Sequence, residues 1–369
     1  MDIKSAFDGT RFTFQNNDSL IEGIYSGVPN HIYHQIPAIN HSTIKPAFIT
    51  LAHYFEEVNN KTKDKNTKPK SIGSLFHCMS LTPTNTYDDF FAYPEALYYP
   101  NDIHTTSQLN HALMLKGRSQ SGNKQDLITA LLEADPQAQI FDNRLKECLI
   151  SNIGCDAFNA ALELAGGKFA SILSQLTKPE LAKFHLKQAM SQSDWDLAET
   201  MATKFLSKAA NCELLSNGYP ELTLIAFDKH RNIWVKCKID YLKTNLVPVD
   251  LKSTENASPS RFSYSAKEYF YDTQEAFYGY VASLLGLELL PMKFAAAESF
   301  APYVSQIYTL PDVVRLDAKN LVQRTLNQII DAERSGVITG YCANEMVLPF
   351  KRRANPRAAS QPHSTESYF

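Results

Sequence analysis

The chain has 369 residues, 44% of them hydrophobic and 11% aromatic, which suits a globular protein of two domains or of one large domain with insertions. Its 36 basic and 39 acidic residues give a net charge of −3, which excludes a strong overall positive field but is compatible with a local basic surface. No apolar run is long enough for a membrane span, and the first residues lack the apolar core of a signal peptide.

Cysteine spacing limits the kinds of metal and redox site. None of the six cysteines forms a Cys-x-x-Cys pair, which disfavours a zinc ribbon and a thioredoxin-like site: Cys78, Cys148, Cys155, Cys212, Cys237 and Cys342. An iron–sulfur cluster assembled from distant cysteines stays an alternative. The pattern favours reduced thiols in a cytoplasmic protein.

Two helices are predicted in the first hundred residues. Ser42 is placed to cap a helix that turns apolar residues toward the core, namely Ile44, Phe48, Leu51 and Tyr54. The lysine-rich stretch 61–70 predicts a solvated loop, with DNA contact as the alternative. SIGSLFHCMSL (71–81) then predicts a helix entered through Ser71 and Gly73. Its His77 is either a core histidine or a metal ligand that projects from a buried helix.

Residues 105–136 predict a self-contained helical hairpin. A first helix, 107–115, meets a Gly-containing connector, and Ser121-Gly122-Asn123-Lys124 opens the second. This pattern resembles the SAP/helix-extension-helix family of small DNA-binding modules. The resemblance implies phosphate contacts by Lys116, Arg118 and Lys124. An ordinary helical insertion is the alternative.

The second half of the chain mixes helices and strands. Residues 144–216 predict several amphipathic helices, and ELTLIAFD and WVKCKIDYL predict strands joined by the polar turn DKHRN. VPVDLKST continues the strands, followed by a loop with Pro259 and one long tyrosine-rich helix, SAKEYFYDTQEAFYGYVASLLGL. KFAAAES and VSQIYTL predict two more strands, and 312–334 a closing helix. The polar tail, 341–369, is predicted to be disordered.

Polar residues among these strands form a candidate site. Asp240 and Asp250 are predicted to stand where adjacent strands end, with Glu221 one strand earlier. Acids placed together repel one another unless a cation lies between them, and hard oxygen ligands suit Mg²⁺ or Mn²⁺. Lys252 follows Asp250 by two positions, so both side chains point to one side of the strand, where the lysine can orient an attacking water. A buried structural ion pair would also explain that pair by itself.

The spacing Asp…Asp-x-Lys is the signature of PD-(D/E)xK nucleases, and Gln274 and Tyr278 share a helix face four residues apart. Gln-x-x-x-Tyr after the Asp-x-Lys strand is typical of the RecB-like branch. The order of GSLFHCMSL, PELTLIAFD, CKIDYL, VDLKST and SRFSYSAKEYFYDTQEAFYGY resembles the RecE (exodeoxyribonuclease VIII) family of phage-type recombination exonucleases. YHQIPAINHSTIK also looks like that family's opening segment. The similarity spans about residues 31–100 and 215–310, while the helical block 101–210 departs from the shorter bacterial prototype.

The resemblance implies a role for each matching residue. His77, Asp240, Asp250 and the Leu251 carbonyl would be metal ligands, and Glu221 would bind or orient water at the metal. Lys252 would be the catalytic lysine, and Gln274 and Tyr278 would support the site or touch the DNA backbone. Arg261, in a polar loop thirteen positions before Gln274, would contact the 5′-phosphate, with a solvated loop arginine as the alternative.

The fold implied is an α/β restriction-endonuclease-like core, with a central mixed sheet flanked by helices and a helical insertion. Residues 1–100 would begin the nuclease domain, 101–143 would form the inserted hairpin, and 144–340 the nuclease core.

The activity implied is Mg²⁺-dependent 5′-to-3′ digestion of double-stranded DNA ends, leaving 3′ overhangs for recombination. By the resemblance, a ring-shaped homo-oligomer of four chains and a RecT-like single-strand annealing partner would act in a bacterial or phage-infected cytoplasm. An endonuclease or repair nuclease of the same fold, or a catalytically inactive DNA-binding protein, are the alternatives.

Overall fold

The computed structural model describes residues 1–16, 19–60 and 68–341. The α-helices within these ranges are α1 (Asn30–Gln35), α2 (His41–Ile44), α3 (Leu51–Asn60), α4 (Lys68–Leu81), α5 (Thr86–Asp89), α6 (Thr106–Leu115), α7 (Lys124–Ala134), α8 (Phe141–Ile153), α9 (Cys155–Leu164), α10 (Gln192–Leu206), α11 (Ala209–Leu214), α12 (Pro259–Glu268), α13 (Tyr271–Leu284) and α14 (Asp312–Ser335). Short 3₁₀ turns occur at Lys45–Phe48, Pro83–Asn85, Ala96–Tyr98, Phe169–Ser171, Leu173–Gln175 and Pro179–Phe184.

The strands of the described residues form one large sheet and two small ones. They are β1 (Ile3–Ser5), β2 (Gln15–Asn16), β3 (Ser19–Leu20), β4 (Gly23–Ser26), β5 (Phe90–Tyr93), β6 (Gln188–Ser191), β7 (Gly218–Asp228), β8 (Ile233–Lys243), β9 (Pro248–Thr254), β10 (Lys293–Glu298) and β11 (Ser305–Tyr308). The large sheet has seven strands in the order β1-β4-β7-β8-β9-β10-β11. Its β1–β4 and β9–β10 pairs are parallel and the other neighbours are antiparallel. The predicted central mixed sheet is confirmed.

Apolar residues on the two faces of the large sheet pack against different helices. Leu222, Leu224, Val235 and Cys237 of β7 and β8 lie in one core with residues of α13 and α14. Val249 and Leu251 of β9 lie in a second core with residues of α4 and α10. Burial of apolar surface on both sides stabilises the sheet, so its strands fix the positions of the polar residues between them.

The block between β5 and β6 is helical, as the sequence predicted for most of it. β5 and β6 are themselves a short parallel pair, with Phe90 opposite Gln188 and Tyr93 opposite Ser191. The hairpin α6–α7 has its own small core, which consists of Leu109, Leu113, Leu127, Ile128, Leu131 and Ile140. Capping boxes at Thr105 and Asn123 satisfy the first backbone N–H groups of both helices.

The predicted start of the N-terminal helix is wrong. Asn40 caps α2, since its side chain accepts a hydrogen bond from the Thr43 backbone N–H at 2.8 Å, and Ser42 lies inside that helix. A 3₁₀ turn with Pro46 at its start separates α2 from α3, because proline lacks the N–H that a continuous helix would need. The helix that carries His77 is confirmed, but α4 begins at Lys68 and not at Ser71.

The long tyrosine-rich helix of the prediction is two helices. Pro259 is the first residue of α12, where its fixed φ suits a helix start, so Arg261 lies in a helix and not in a loop. Phe270 separates α12 from α13 with a left-handed φ of 61°. Its ring stacks on Phe48 at 5.6 Å, and this packing holds a conformation that phenylalanine rarely adopts.

No helix among the described residues is both long and apolar enough to cross a membrane. The predicted disordered tail lies outside the described residues from 342 onward, as does most of the lysine-rich stretch, 61–67.

Candidate active site

Three acids converge where the pairing of β7, β8 and β9 becomes irregular. Pro220 pairs with Tyr241 and Leu222 with Ile239, so Glu221 is level with Asp240. The β8–β9 pairing reaches Tyr241–Val249 and goes no further, which leaves Asp240 level with Asp250 where the strands part. The prediction that these aspartates end their strands is wrong, because β8 continues to Lys243 and β9 to Thr254.

At this gap between β8 and β9, a side chain replaces a backbone carbonyl as hydrogen-bond acceptor. The Leu251 N–H donates to Asp240 Oδ2 at 2.8 Å instead of to a backbone carbonyl of β8. Glu221 has a left-handed φ of 51°, an unusual conformation for a glutamate inside a strand. The side chains of Asp250 and Asp240 are 3% and 16% exposed, and that of Glu221 is 27% exposed. The three carboxylates therefore lie between the interior and the solvent, with Asp250 the most buried and Glu221 the most exposed.

Burial and repulsion act together on Asp240. Loss of solvent, followed by the nearby carboxylates of Asp250 and Glu221, raises the pKa of Asp240 well above its usual range. A cation between the three acids would relieve this repulsion. The three acids therefore repel one another without a cation between them, whereas an ion pair of Asp250 and Lys252 alone would need no further charge.

Asp250, Lys252 and Gln274 form a closed triangle. Lys252 Nζ lies 2.7 Å from Asp250 Oδ2 and donates to Gln274 Oε1 at 3.1 Å. Gln274 Nε2 donates to Asp250 Oδ1 at 2.7 Å and lies 3.3 Å from the Tyr278 hydroxyl. Gln274 and Tyr278 therefore share a face of α13, and Gln274 fixes both the acid and the lysine in place.

The charge of Lys252 is maintained by its neighbours. Burial alone lowers the pKa of Lys252, but the charge of Asp250, with smaller effects of Tyr271 and Asp240, outweighs it and raises the pKa. The ammonium group also lies 4.4 Å from the centre of the Tyr271 ring. Lys252 is therefore a cation near neutral pH, suited to orient a water or to stabilise negative charge.

Helix α4 brings His77 to the acids from the other side of the sheet. Gly73 allows the close approach, because a Cβ at this position would lie 2.8 Å from Ser253 Oγ on β9. One turn later His77 Nδ1 lies 3.4 Å from Asp240 Oδ2. Burial lowers the pKa of His77, against the effect of Asp250 and Glu221, so its imidazole is neutral near pH 7 and able to act as a ligand.

The donor atoms fit a hard divalent cation by their chemistry. Carboxylate oxygens with one imidazole nitrogen are ligands that Mg²⁺ and Mn²⁺ accept. In the arrangement described, the oxygens of Asp250 contact Lys252 and Gln274, and no group of three or more His, Cys, Asp or Glu in residues 1–16, 19–60 and 68–341 is already arranged around a common point. Binding of a cation would therefore exchange some of these contacts for metal–oxygen contacts.

The predicted DNA-binding residues form no ion pair with the three acids, and two of them pair with other carboxylates. Arg261 is exposed on α12 and makes no hydrogen bond or ion pair with a described residue. In the hairpin, Lys116 pairs with Asp135 at 2.9 Å and Lys124 with Asp142 at 2.8 Å. Arg118 is exposed, and it alone of the three hairpin cations has no such partner among the described residues.

Sequence reasoning missed several residues around the centre. Lys238 Nζ lies 3.4 Å from Glu221 Oε2 and also donates to the Val28 carbonyl at 2.8 Å. His41 Nε2 lies 3.0 Å from Thr273 Oγ1, and burial, with the charges of Lys45 and Lys252, lowers the His41 pKa to about 3. Lys238 precedes Asp240 by two positions on one strand, which was a usable signal. His41 offered none, because its partner is 232 residues away.

A protein-family model matches the half of the chain that contains most of the candidate site. A family described as a PDDEXK-like domain of unknown function (DUF3799) matches residues 159–346, which is 188 of the 369 residues and includes Glu221 through Tyr278 but not His77. The crystal structure of a proposed exonuclease from Eubacterium rectale is similar at 12% identity with a TM-score of 0.47, covering 88% of this chain and 97% of that one. No curated protein matches the sequence.

Proposed function

The chain belongs to the family of PDDEXK-like domains, within the PD-(D/E)xK nuclease superfamily, and from this premise we propose that it is a metal-dependent exonuclease that digests one strand of duplex DNA from its 5′ end. The observation that carries the proposal is the meeting of Glu221, Asp240 and Asp250 at the gap between strands, with Lys252 fixed beside them by Gln274. A structural ion pair would need only two of these residues.

Each side chain has a distinct task in phosphodiester hydrolysis. Lys252 is a half-buried cation that orients the attacking water and stabilises charge on the phosphate. Gln274 holds Lys252 and Asp250 at fixed separation, and the Tyr278 hydroxyl beside its amide limits the rotation of Gln274. Such fixed positions lower the cost of reorganisation during the reaction.

Asp240, Asp250, His77 and the Leu251 carbonyl would hold Mg²⁺ or Mn²⁺, with Glu221 beside it. The cation, when bound, supplies Lewis-acid activation of water and charge neutralisation at the leaving oxygen. Support comes from the donor chemistry and from the burial of Asp240 beside the carboxylates of Asp250 and Glu221, which together raise its pKa.

The finer features of the proposal rest on the resemblance to the RecE family. They are 5′-to-3′ polarity, 3′ single-stranded overhangs for recombination, a ring-shaped homo-oligomer of four chains, and a RecT-like annealing partner. Arg261 would receive the 5′-phosphate, and in the hairpin we assign DNA contact first to Arg118, because Lys116 and Lys124 already have carboxylate partners.

A doubly labelled duplex tests the proposal directly. A linear duplex carries one dye at the 5′ end and another at the 3′ end of the same strand, and a covalently closed circle serves as a substrate without ends. With Mg²⁺ we expect early release of the 5′ dye in short products, retention of the 3′ dye on long ones, and an intact circle.

Two variants separate catalysis from damage to the fold. Lys252→Ala should abolish cleavage, whereas Lys293→Ala, on the neighbouring strand β10 with Thr309 as its hydrogen-bond partner, should leave it unchanged. Cutting of the circle would establish an endonuclease instead, and release of the 3′ dye first would reverse the polarity. DNA binding without cleavage at any Mg²⁺ or Mn²⁺ concentration would indicate an inactive site.

A further inference from the structure

A series of aromatic rings and lysines leads from the catalytic centre to the surface. Lys252 Nζ lies over the ring of Tyr271 at 4.4 Å, and this ring is stacked with that of Tyr269, 6.1 Å away at an interplanar angle of 27°. Lys45 Nζ lies 5.5 Å from the centre of the Tyr269 ring and 5.7 Å from that of Phe270. We call these four residues, Lys252, Tyr271, Tyr269 and Lys45, the tyrosine–lysine ladder.

The break between α12 and α13 creates the outer half of the ladder. The left-handed backbone at Phe270 turns that ring onto Phe48, while Tyr271 faces the catalytic lysine and Tyr269 faces solvent. Tyr269 remains 54% exposed although its ring is already stacked and in contact with a cation. A ring that is held in a fixed orientation and left open can accept another flat ring at little entropic cost.

The charge at the outer end favours an anion. Lys45 forms no ion pair with a described residue. Burial and the charge of Lys252 lower the pKa of Lys45, and the charges of Glu268 and Glu57 offset this only in part. An anionic group beside Lys45 would therefore be stabilised by a cation that no carboxylate yet neutralises.

We infer that Tyr269 and Lys45 form a binding subsite for one unpaired nucleotide of the strand being cut, with the base stacked on Tyr269 and its phosphate near Lys45. This inference rests on the proposed nuclease function and adds its substrate class: the strand must be single-stranded where it meets the subsite. Stacking on an aromatic ring accepts any base, so the subsite gives no sequence preference.

The position of the subsite explains what it would do. A nucleotide stacked on Tyr269 is joined through Tyr271 to the lysine at the scissile phosphate, so it fixes the register of the strand in the centre. A duplex enters such a subsite only after the base pairs at its end have opened, and their stacking energy is then lost. Preference for a frayed or overhanging end over a closed duplex is the consequence.

The test measures stacking without cleavage. A single-stranded DNA oligonucleotide containing 2-aminopurine is titrated with the full-length protein in EDTA, and both anisotropy and base fluorescence are recorded. The wild-type protein and Tyr269→Phe should quench the fluorescence, because both keep the ring. Tyr269→Ala should lose the quenching and bind about tenfold more weakly, the usual effect of losing one stacked base.

Two controls decide whether the ladder itself is responsible. An oligonucleotide with an abasic nucleotide at the quenched position should bind wild type and Tyr269→Ala equally. Tyr264→Ala removes an exposed tyrosine of α12, 67% exposed and without a ring contact among the described residues, and should leave quenching unchanged. Lys45→Gln should reduce the salt slope of binding by about 0.7, as expected for one phosphate contact on a single strand.

The possible failures are distinguishable from those of the nuclease proposal. Equal losses in Tyr269→Ala and Tyr264→Ala, unchanged quenching in Tyr269→Ala, or no binding of the single strand would overturn the subsite. These outcomes can occur while wild type still digests labelled duplex with Mg²⁺. Conversely, quenching that depends on Tyr269 in a protein that cleaves nothing would overturn the nuclease proposal and leave the nucleotide subsite in place.

Discussion

Gly73 offers the sharpest test of how the site is assembled. Helix α4 approaches β9 so closely there that a methyl group at position 73 would lie 2.8 Å from Ser253 Oγ but 3.8 Å from Ser253 Cβ. The first separation requires movement, whereas the second is an ordinary van der Waals contact. Gly73→Ala should therefore push α4 and its His77 away from the acids, and Ser253→Ala should remove the obstacle.

The expected energies follow from two opposing effects. Alanine in place of glycine inside a helix stabilises it by about 1 kcal/mol. The steric conflict with Ser253 costs about 1–3 kcal/mol, as in other overpacked sites. Gly73→Ala alone should thus change the free energy of unfolding by about 0 to −2 kcal/mol. In the Ser253→Ala background the same substitution should raise it by about 1 kcal/mol.

Urea unfolding and DNA cleavage are measured for wild type, both single variants and the double variant. The coupling free energy should be about 1–3 kcal/mol, and cleavage slowed in Gly73→Ala should recover in the double variant. Gly279→Ala in α13 is the matched control, because nothing lies within 4 Å of its added Cβ and only the gain in helix propensity remains. Additivity of the two substitutions within about 0.5 kcal/mol would refute the argument.

Four further predictions concern single residues. Asp250→Ala should reduce DNA cleavage by several orders of magnitude with little change in DNA binding, and retention of more than about a tenth of the wild-type rate would contradict its assignment. His77→Ala should raise the Mg²⁺ concentration needed for half-maximal cleavage at least about tenfold with little change in melting temperature, whereas a collapse in melting temperature with an unchanged metal titration would indicate a core histidine. Arg261→Ala should slow the digestion of 5′-phosphorylated ends only; equal slowing of 5′-hydroxyl ends would argue against a phosphate contact. Burial lowers the pKa of Lys236 from 10.5 to about 8, so between these pH values the unfolded chain binds more protons and the free energy of unfolding should rise with pH. The slope from this group is at most about 1.4 kcal/mol per pH unit and should be absent in Lys236→Met; identical pH profiles would show that Lys236 titrates normally.

Local patterns predicted those parts of the fold that depend on local forces. The alternation of apolar and polar residues located β7 and β8, and the polar turn between them, because half-buried strands require that period. The same-side relation of Asp250 and Lys252 and the shared face of Gln274 and Tyr278 follow from strand and helix geometry, and both pairs are in contact. The roles of these residues in catalysis stay predictions.

Features set by distant packing were not predictable. Phenylalanine gives no local signal for a left-handed conformation, and Phe270 adopts it because Phe48, more than two hundred residues earlier, stacks on its ring. The parting of β8 and β9 at Asp240 depends on a side chain that replaces a backbone acceptor for Leu251. The sequence predicts a loop around Pro259 and Arg261, whereas the structure has Pro259 in the first turn of α12, a position that proline also favours.

The parallel pair β5–β6 has a consequence for how this protein can change over evolution. The chain leaves β5 after Tyr93 and re-enters at Gln188, which lies beside Phe90. From strand rise and spacing, the exit and re-entry points are only about 11 Å apart. Because the cost of closing a loop grows slowly with its length, insertions and deletions in this excursion need not disturb the strands that hold the acids. Lineages can therefore lengthen, shorten or exchange the segment that carries the α6–α7 hairpin without moving the strands of the candidate site.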